Sequence, residues 1–270
     1  MSGTQEPQAV EFMLEGRPVV LIDTPGLDDD KRSDVRILED IALWMARKGY
    51  AKDQRPDGLI FLHPITHNRV GASEWNRTRL LEKILGPNAC RRVIIATTMW
   101  GELVAAKDAL DERLQGRVNK GGVWHDMCRQ GARMEKHDNT IESAHTIMRA
   151  IISVADKEGR VDSLFHTEIR EKQGRVAHTS AGKELEKQIQ DKITIMQKEL
   201  DNHFAERPPD GFKRSKDPNN RRDWKRWHKE HRDLEEELIS KQQELKRLRS
   251  IVVSCPGTEL QIAARYCRKC

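Results

Sequence analysis

Aromatic side chains make up only 5% of this 270-residue chain, and no apolar run approaches the roughly eighteen residues of a membrane helix. Two full cores are therefore not expected. The length suits one domain of about 150 residues plus an extension. Cysteines are scarce and odd in number, five in all, which excludes a disulfide framework and sets the expectation of a reduced, cytoplasmic compartment. A dominant charge is also missing: 48 Lys and Arg against 43 Asp and Glu leave +5, so any preference for a polyanion must be local. What the chain does have is 34% charged residues, the larger share of them in its later half, as expected for solvated helix.

Apolar periodicity divides the chain. Glu11 to Leu14, a turn at Glu15-Gly16, and Pro18 to Ile22 read as a hairpin whose second strand, nearly all apolar, is expected to be buried on both faces. From Ser33 the period becomes helical through Val35, Leu38, Ala42 and Met45, ending near Gly49. Strands follow at 58–62, 92–96 and 132–136, separated by helical patterns, and Asp138-Asn139-Thr140 opens an amphipathic helix containing Ile141, Ile147 and Ile151. Strand and helix alternating in this way predict an α/β fold with a mostly parallel sheet and flanking helices. Beyond about Asp156 the strand signal ends. Leu185, Ile189, Ile193 and Leu200, then Leu234, Leu238, Leu245 and Leu248, mark two long amphipathic helices separated by Pro- and Gly-containing breakers.

The second strand delivers Asp23-Thr24-Pro25-Gly26 into a loop. Such an Asp can hold a divalent cation through water, and such a Gly leaves room for a phosphate to approach its amide. The same four letters also describe a turn. The usual companion of the phosphate-sensing reading, Gly-x-x-x-x-Gly-Lys-Ser/Thr, does not occur in these 270 residues.

Leu-Ile-Asp-Thr-Pro-Gly-Leu-Asp-Asp at 21–29, Ile65-Thr-His-Asn-Arg69, Ile95-Ala-Thr-Thr-Met-Trp100 and the run from Gly131 to Ser143 resemble successive blocks of the fungal G-domain proteins, relatives of septins and of the immunity-associated GTPases. The resemblance covers roughly residues 10–155. It implies an incomplete Ras-like G-domain binding GTP or GDP with Mg2+. On that likeness Asp23 serves magnesium, Thr24 and Gly26 the γ-phosphate side, and Thr98 and Asn139 the base, with residues 26–32 ordered by the γ-phosphate. Two positions depart from the pattern. Gly101 stands where a guanine-reading Asp belongs, and Leu27 where a water-orienting Gln often stands. Trp100, ending a buried strand, either packs in the core or stacks on a base, and Thr97 and Thr98 either brace the loop or touch ligand. With no phosphate loop in the given sequence, the chain is expected to be an incomplete or degenerate copy that binds GTP poorly. The strands ending at Asp23 and beginning at Gly58 would lack a shared neighbour and must pair directly or remain frustrated.

The expected organisation is a truncated G-domain at 1–156, a helical, coiled-coil-like extension at 157–254 with a linker around 206–222, and a Cys-containing tail at 255–270. The apolar helix faces suit a protein partner or a second copy. Lys213, Arg214, Arg221, Arg222 and Trp224-Lys-Arg-Trp227 suit nucleic acid or an anionic membrane, or else a solvated helix with its tryptophans packed inward. Cys267-x-x-Cys270 with Cys255 lacks a fourth ligand and reads as free thiols. Asp28 to Asp30 read as a solvated switch segment, and His63, His67 and His125 as structural.

Overall fold

The computed structural model describes residues 8–24, 26, 33–44, 56–66, 70–101, 107–158 and 162–254. Pro25, Leu27, Asp28 to Asp30, Gly49, His67, Cys255, Cys267 and Cys270 lie outside the described residues.

Strands β1 (Gln8–Leu14) and β2 (Arg17–Asp23) form the antiparallel hairpin, with Leu14 opposite Arg17 and Gln8 opposite Asp23. Its two turn residues are both left-handed, φ 51° at Glu15 and 80° at Gly16, as the right-handed strand twist favours. Helix α1 (Asp34–Trp44) follows. Three strands, β3 (Leu59–Pro64), β4 (Val93–Thr98) and β5 (Arg133–Lys136), then build a parallel sheet in that order. Helix α2 (Ala72–Leu85) and a 3-10 turn lie between β3 and β4. Helices α3 (Lys107–Val118) and α4 (His125–Arg129) precede β5, and α5 (Ile141–Glu158) follows it.

Period-two alternation gives β4 two buried faces. Ile94 and Ala96, with Ile60 of β3, pack beneath Ile147 and Ile151 of α5. Val93 and Ile95, with Leu59 and Phe61, face Leu81, Leu85 and the α4 region through Trp124 and Met127. Each fully buried aliphatic side chain contributes about 1.5–3 kcal/mol relative to exposure, so β4 is the centre of this half of the molecule.

The hairpin departs from the sequence reading. Its apolar second strand is not buried on both faces: Val20 is 55% and Leu21 42% exposed. Composition gives a strand apolar surface, but only neighbours remove that surface from water, and β1 and β2 form a sheet of their own. Direct pairing of β2 with β3 does not occur, and Leu62 on β3 stays 62% exposed. What ties the hairpin down is its turn. Arg17 grips Asp156 at 2.7 Å, Arg149 donates to Glu15 at 2.7 Å, and Leu14 is buried.

The extension comprises α6 (Leu164–Glu171), α7 (Ser180–Ala205) and α8 (Pro218–Ser250). Thr179 caps α7 by accepting from Gly182 N, and Asp217 caps α8 ahead of Pro218. The intervening breakers turn the chain back, so α8 runs antiparallel to α7: Trp227 meets His203, and Arg249 meets Glu186. Leu185, Ile189, Leu245 and Leu248 share one buried cluster with Val35 and Leu38 of α1 and Leu80 and Ile84 of α2, which anchors the base of the hairpin. After α8, Val253 N donates to Gly174 O; Gly174 has φ 78°, and a side chain there would collide with the Val253 carbonyl. No helix among the described residues is long and apolar enough to cross a membrane.

Candidate functional site

Parallel strands end on one edge, and ligands of open α/β sheets sit at that carboxyl edge. Here the ladder continues past the strands, with Ile65 N donating to Thr98 O at 3.0 Å and His137 N to Thr97 O at 2.8 Å. Three segments, Pro64 to Thr66, Thr98 to Gly101 and Lys136 to Thr140, are thereby brought side by side. Two non-glycine residues in them hold left-handed backbone, Met99 at φ 64° and Asn139 at φ 68°, a conformation that costs free energy and clusters at ligand-binding loops.

Trp100 is fixed by its own strand. Its Nε1 donates to Thr97 O at 3.0 Å and to Thr97 Oγ1 at 3.1 Å, and the Lys136 ammonium lies 4.4 Å from its ring centroid. The Thr97 hydroxyl in turn donates to Glu135 O at 3.2 Å, so Thr97 braces the loop. The half-buried indole therefore stands at the edge under a cation and is not an interior core residue.

Asp138 opens α5. Its carboxylate accepts from the Thr140 hydroxyl at 2.6 Å and from Thr140 N at 3.2 Å, while Thr140 Oγ1 accepts from Ser143 N. These hydrogen bonds, Thr140 first and Ser143 next, hold the Asp138 carboxyl down to about 2. His137 Nδ1 lies 2.8 Å from Ser143 Oγ and completes the turn. Asp138 thus holds Thr140, whose hydroxyl caps α5, and the Asp138 side chain, like that of Asn139 beside it, is exposed.

The expected site residues fall into two groups. Thr98 and Asn139 share the carboxyl edge. Asp23, Thr24 and Gly26 are exposed at the far end of the separate hairpin. A side chain at Gly26 or Gly101 would meet open space, so packing does not demand glycine at either position. A magnesium-bound triphosphate is not matched by the described residues. Arg17, the one cation in β1 and β2, is engaged by Asp156, and no cluster of three metal-ligating side chains occurs among the described residues.

Sequence reasoning missed the charged floor behind this edge. Arg117 Nε donates to Glu74 Oε1 at 3.0 Å, His63 Nε2 is 3.6 Å from the same oxygen, and all three side chains are almost fully buried. Trp124 meets His63 edge-on at 4.9 Å and lies 5.6 Å from the Arg117 guanidinium. The cluster ties the end of β3 to α2, α3 and the start of α4. Its members are 43 residues apart in the case of Glu74 and Arg117, so no local pattern marks them. His63 is structural as expected in this packing, and so is His125, with Nδ1 3.0 Å from Val118 O.

No protein-family model and no curated protein matches the sequence. Among solved structures, a dimerization-deficient mutant of Toc33 from Arabidopsis thaliana is similar over 59% of this chain and 73% of its own, with 14% identity and TM-score 0.42. A structure of the chloroplast translocon components atToc33 and psToc159, whose dimerization is important for GTPase activity, is similar over 60% of this chain and 72% of its own, with 16% identity and TM-score 0.40. Similarities this partial assign no ligand to the chain.

Proposed function

We propose that the chain is a guanine-nucleotide-binding scaffold of the G-domain kind in which the base end of the site is assembled and the phosphate end is not, so that these 270 residues bind GTP weakly. One observation carries the reading: Thr98, Trp100, Lys136 and Asn139 converge on the carboxyl edge, with left-handed backbone at Met99 and Asn139. The edge offers an indole under the Lys136 ammonium, a hydroxyl and a carboxamide to a planar heterocycle. The position of the guanine-reading Asp, Gly101, offers no carboxylate for the guanine donors, and the Asp138 carboxylate is engaged by Thr140. Base discrimination between GTP and ATP is accordingly weak.

Titration with fluorescent GTP and ATP analogues tests this. The wild-type chain should bind both weakly and with little preference. Gly101→Asp, whose Cβ meets open space, should raise preference for GTP by about tenfold, as a charge-assisted hydrogen bond gives. Unchanged affinities for both analogues would refute the placement of the base.

A second reading, in which the α/β unit chiefly presents the helical hairpin to a protein partner or a second copy, is favoured by Ile195 and Ile239, both more than half exposed on α7 and α8. Light scattering distinguishes it: association lost in Ile239→Asp supports the interaction module, and a monomer at all concentrations excludes self-association.

A further inference from the structure

The charge of this molecule is not spread evenly. Residues 207–232 hold ten Lys and Arg against four Asp and Glu, a net +6 that exceeds the +5 of the entire chain, so everything else carries −1 together. In the fold these residues are the turn between α7 and α8 and the first four turns of α8, the end of the helical hairpin opposite its anchored base.

Most of the acids there are already occupied. Asp210 pairs with Arg207, Asp223 with Arg226 at 3.0 Å, and Asp217 accepts from Asn219 N as the helix cap. Among the described residues, no ion pair holds Arg221, Arg222, Lys225 or Lys229; Arg232 lies 3.9 Å from Glu236 in an exposed pair, and all five cations face solvent. Arg221, Lys225, Lys229 and Arg232 recur at helical spacing and form a row about 16 Å long on one side of α8. Trp227, Leu238 and Leu245 recur on the opposite side and are buried against α7, so the cationic row points to solvent. The same positive field acts on His228, whose imidazole is held below its ordinary pKa by desolvation first and then by Arg207, His231 and Lys213.

Contacts between the two helices also hold the tip together. Trp227 Nε1 donates to His203 O at 2.9 Å and His203 Nε2 lies 3.2 Å from Trp227 O, a reciprocal clasp between the helices. His203 and His231 both stack on the Trp227 ring, while Trp224 lies between His228 and the Lys213 ammonium. With these aromatic faces occupied, the tip has little to offer unpaired bases by stacking. No apolar side chain interrupts the exposed cationic row, and the exposed Phe204 of the tip packs against Trp227 and His231 on the α7 side and is not part of that row.

We infer that the outer face of the first turns of α8, centred on Arg221, Lys225, Lys229 and Arg232, is a docking surface for the phosphate backbone of duplex DNA. A helix of about 10–12 Å diameter fits the major groove, and guanidinium groups bind phosphate oxygens bidentately. The contact reads charge and groove shape and carries no base sequence.

Fluorescence anisotropy of the full chain with a labelled mixed-sequence duplex, the matching single strand and phosphatidylserine-containing vesicles tests the inference. Duplex affinity should fall with salt along a log–log slope of about −4 for the four cations of the row. Replacing all four by Glu should abolish binding while helicity and melting stay unchanged. Charge reversal of the exposed Lys187, Lys192 and Lys198 on α7, as a control, should leave most of the affinity in place. Salt-independent duplex binding, equal loss in the control, preference for the single strand, or capture by vesicles and not by duplex would each overturn it.

Discussion

Strand β2, with Pro18-Val19-Val20-Leu21-Ile22, is as apolar as β4, with Val93-Ile94-Ile95-Ala96, yet β4 is buried along its apolar run and β2 is largely exposed. The contrast lies in their neighbours. β4 has a strand on each side and helices on both faces, whereas β2 has one strand and no ladder to the main sheet. The two regions also treat charge differently. Behind the parallel sheet an ion pair is sealed from water, while the hairpin is tied by Arg17–Asp156, with side chains 57% and 52% exposed. One region owes its order to burial, the other to surface pairing. The same division runs through the proposed site, because the base end belongs to the sheet and Asp23 belongs to the hairpin.

The sealed ion pair should give the largest effect. Arg117→Met leaves the buried Glu74 without its guanidinium, and chemical denaturation should record a loss of about 3–5 kcal/mol. The paired strands come next. Ile95→Ala should cost about 2–5 kcal/mol, and Val20→Ala, equally a loss of methyl groups, about 0.5 kcal/mol or less. Equal losses would erase the distinction between the regions.

Arg17→Ala should leave the melting temperature unchanged while amide exchange in β1 and β2 accelerates and that in β4 does not. The smallest effect is at the α5 cap. Because its folded carboxyl is held down to about 2 from an ordinary 3.8, Asp138 contributes stability that is present above pH about 4 and lost as pH falls through about 2. Asp138→Ala should therefore loosen the first turn of α5 at neutral pH, and its difference from wild type should vanish on acidification, as amide exchange over that range can follow.

The α/β order, the hairpin register and the two long helices were legible because they rest on local period: two for β4, three and four for Leu185 to Ile193 and for Leu238 to Leu248. Asn139 was legible as a loop residue following a strand, whereas Thr98, read as following a strand that ends at 96, is the last residue of β4. The exposure of β2 was not, since an apolar run specifies what a strand can bury and not which neighbours it obtains. Helix α6 escaped notice because its eight residues are too few to establish a period. The Glu74–Arg117–His63 cluster and the Lys136–Trp100 contact join residues distant in sequence, and only tertiary packing brings them together.

The division of the site between the parallel sheet and a hairpin that forms a sheet of its own is tested most directly by titrating the 270-residue chain with a fluorescent GTP analogue in the presence of magnesium, beside Asp23→Ala. Weak binding, well short of micromolar affinity and indifferent to the substitution, is the predicted result, since the hairpin supplies no free cation for the phosphates. Micromolar or tighter binding that Asp23→Ala abolishes would contradict it.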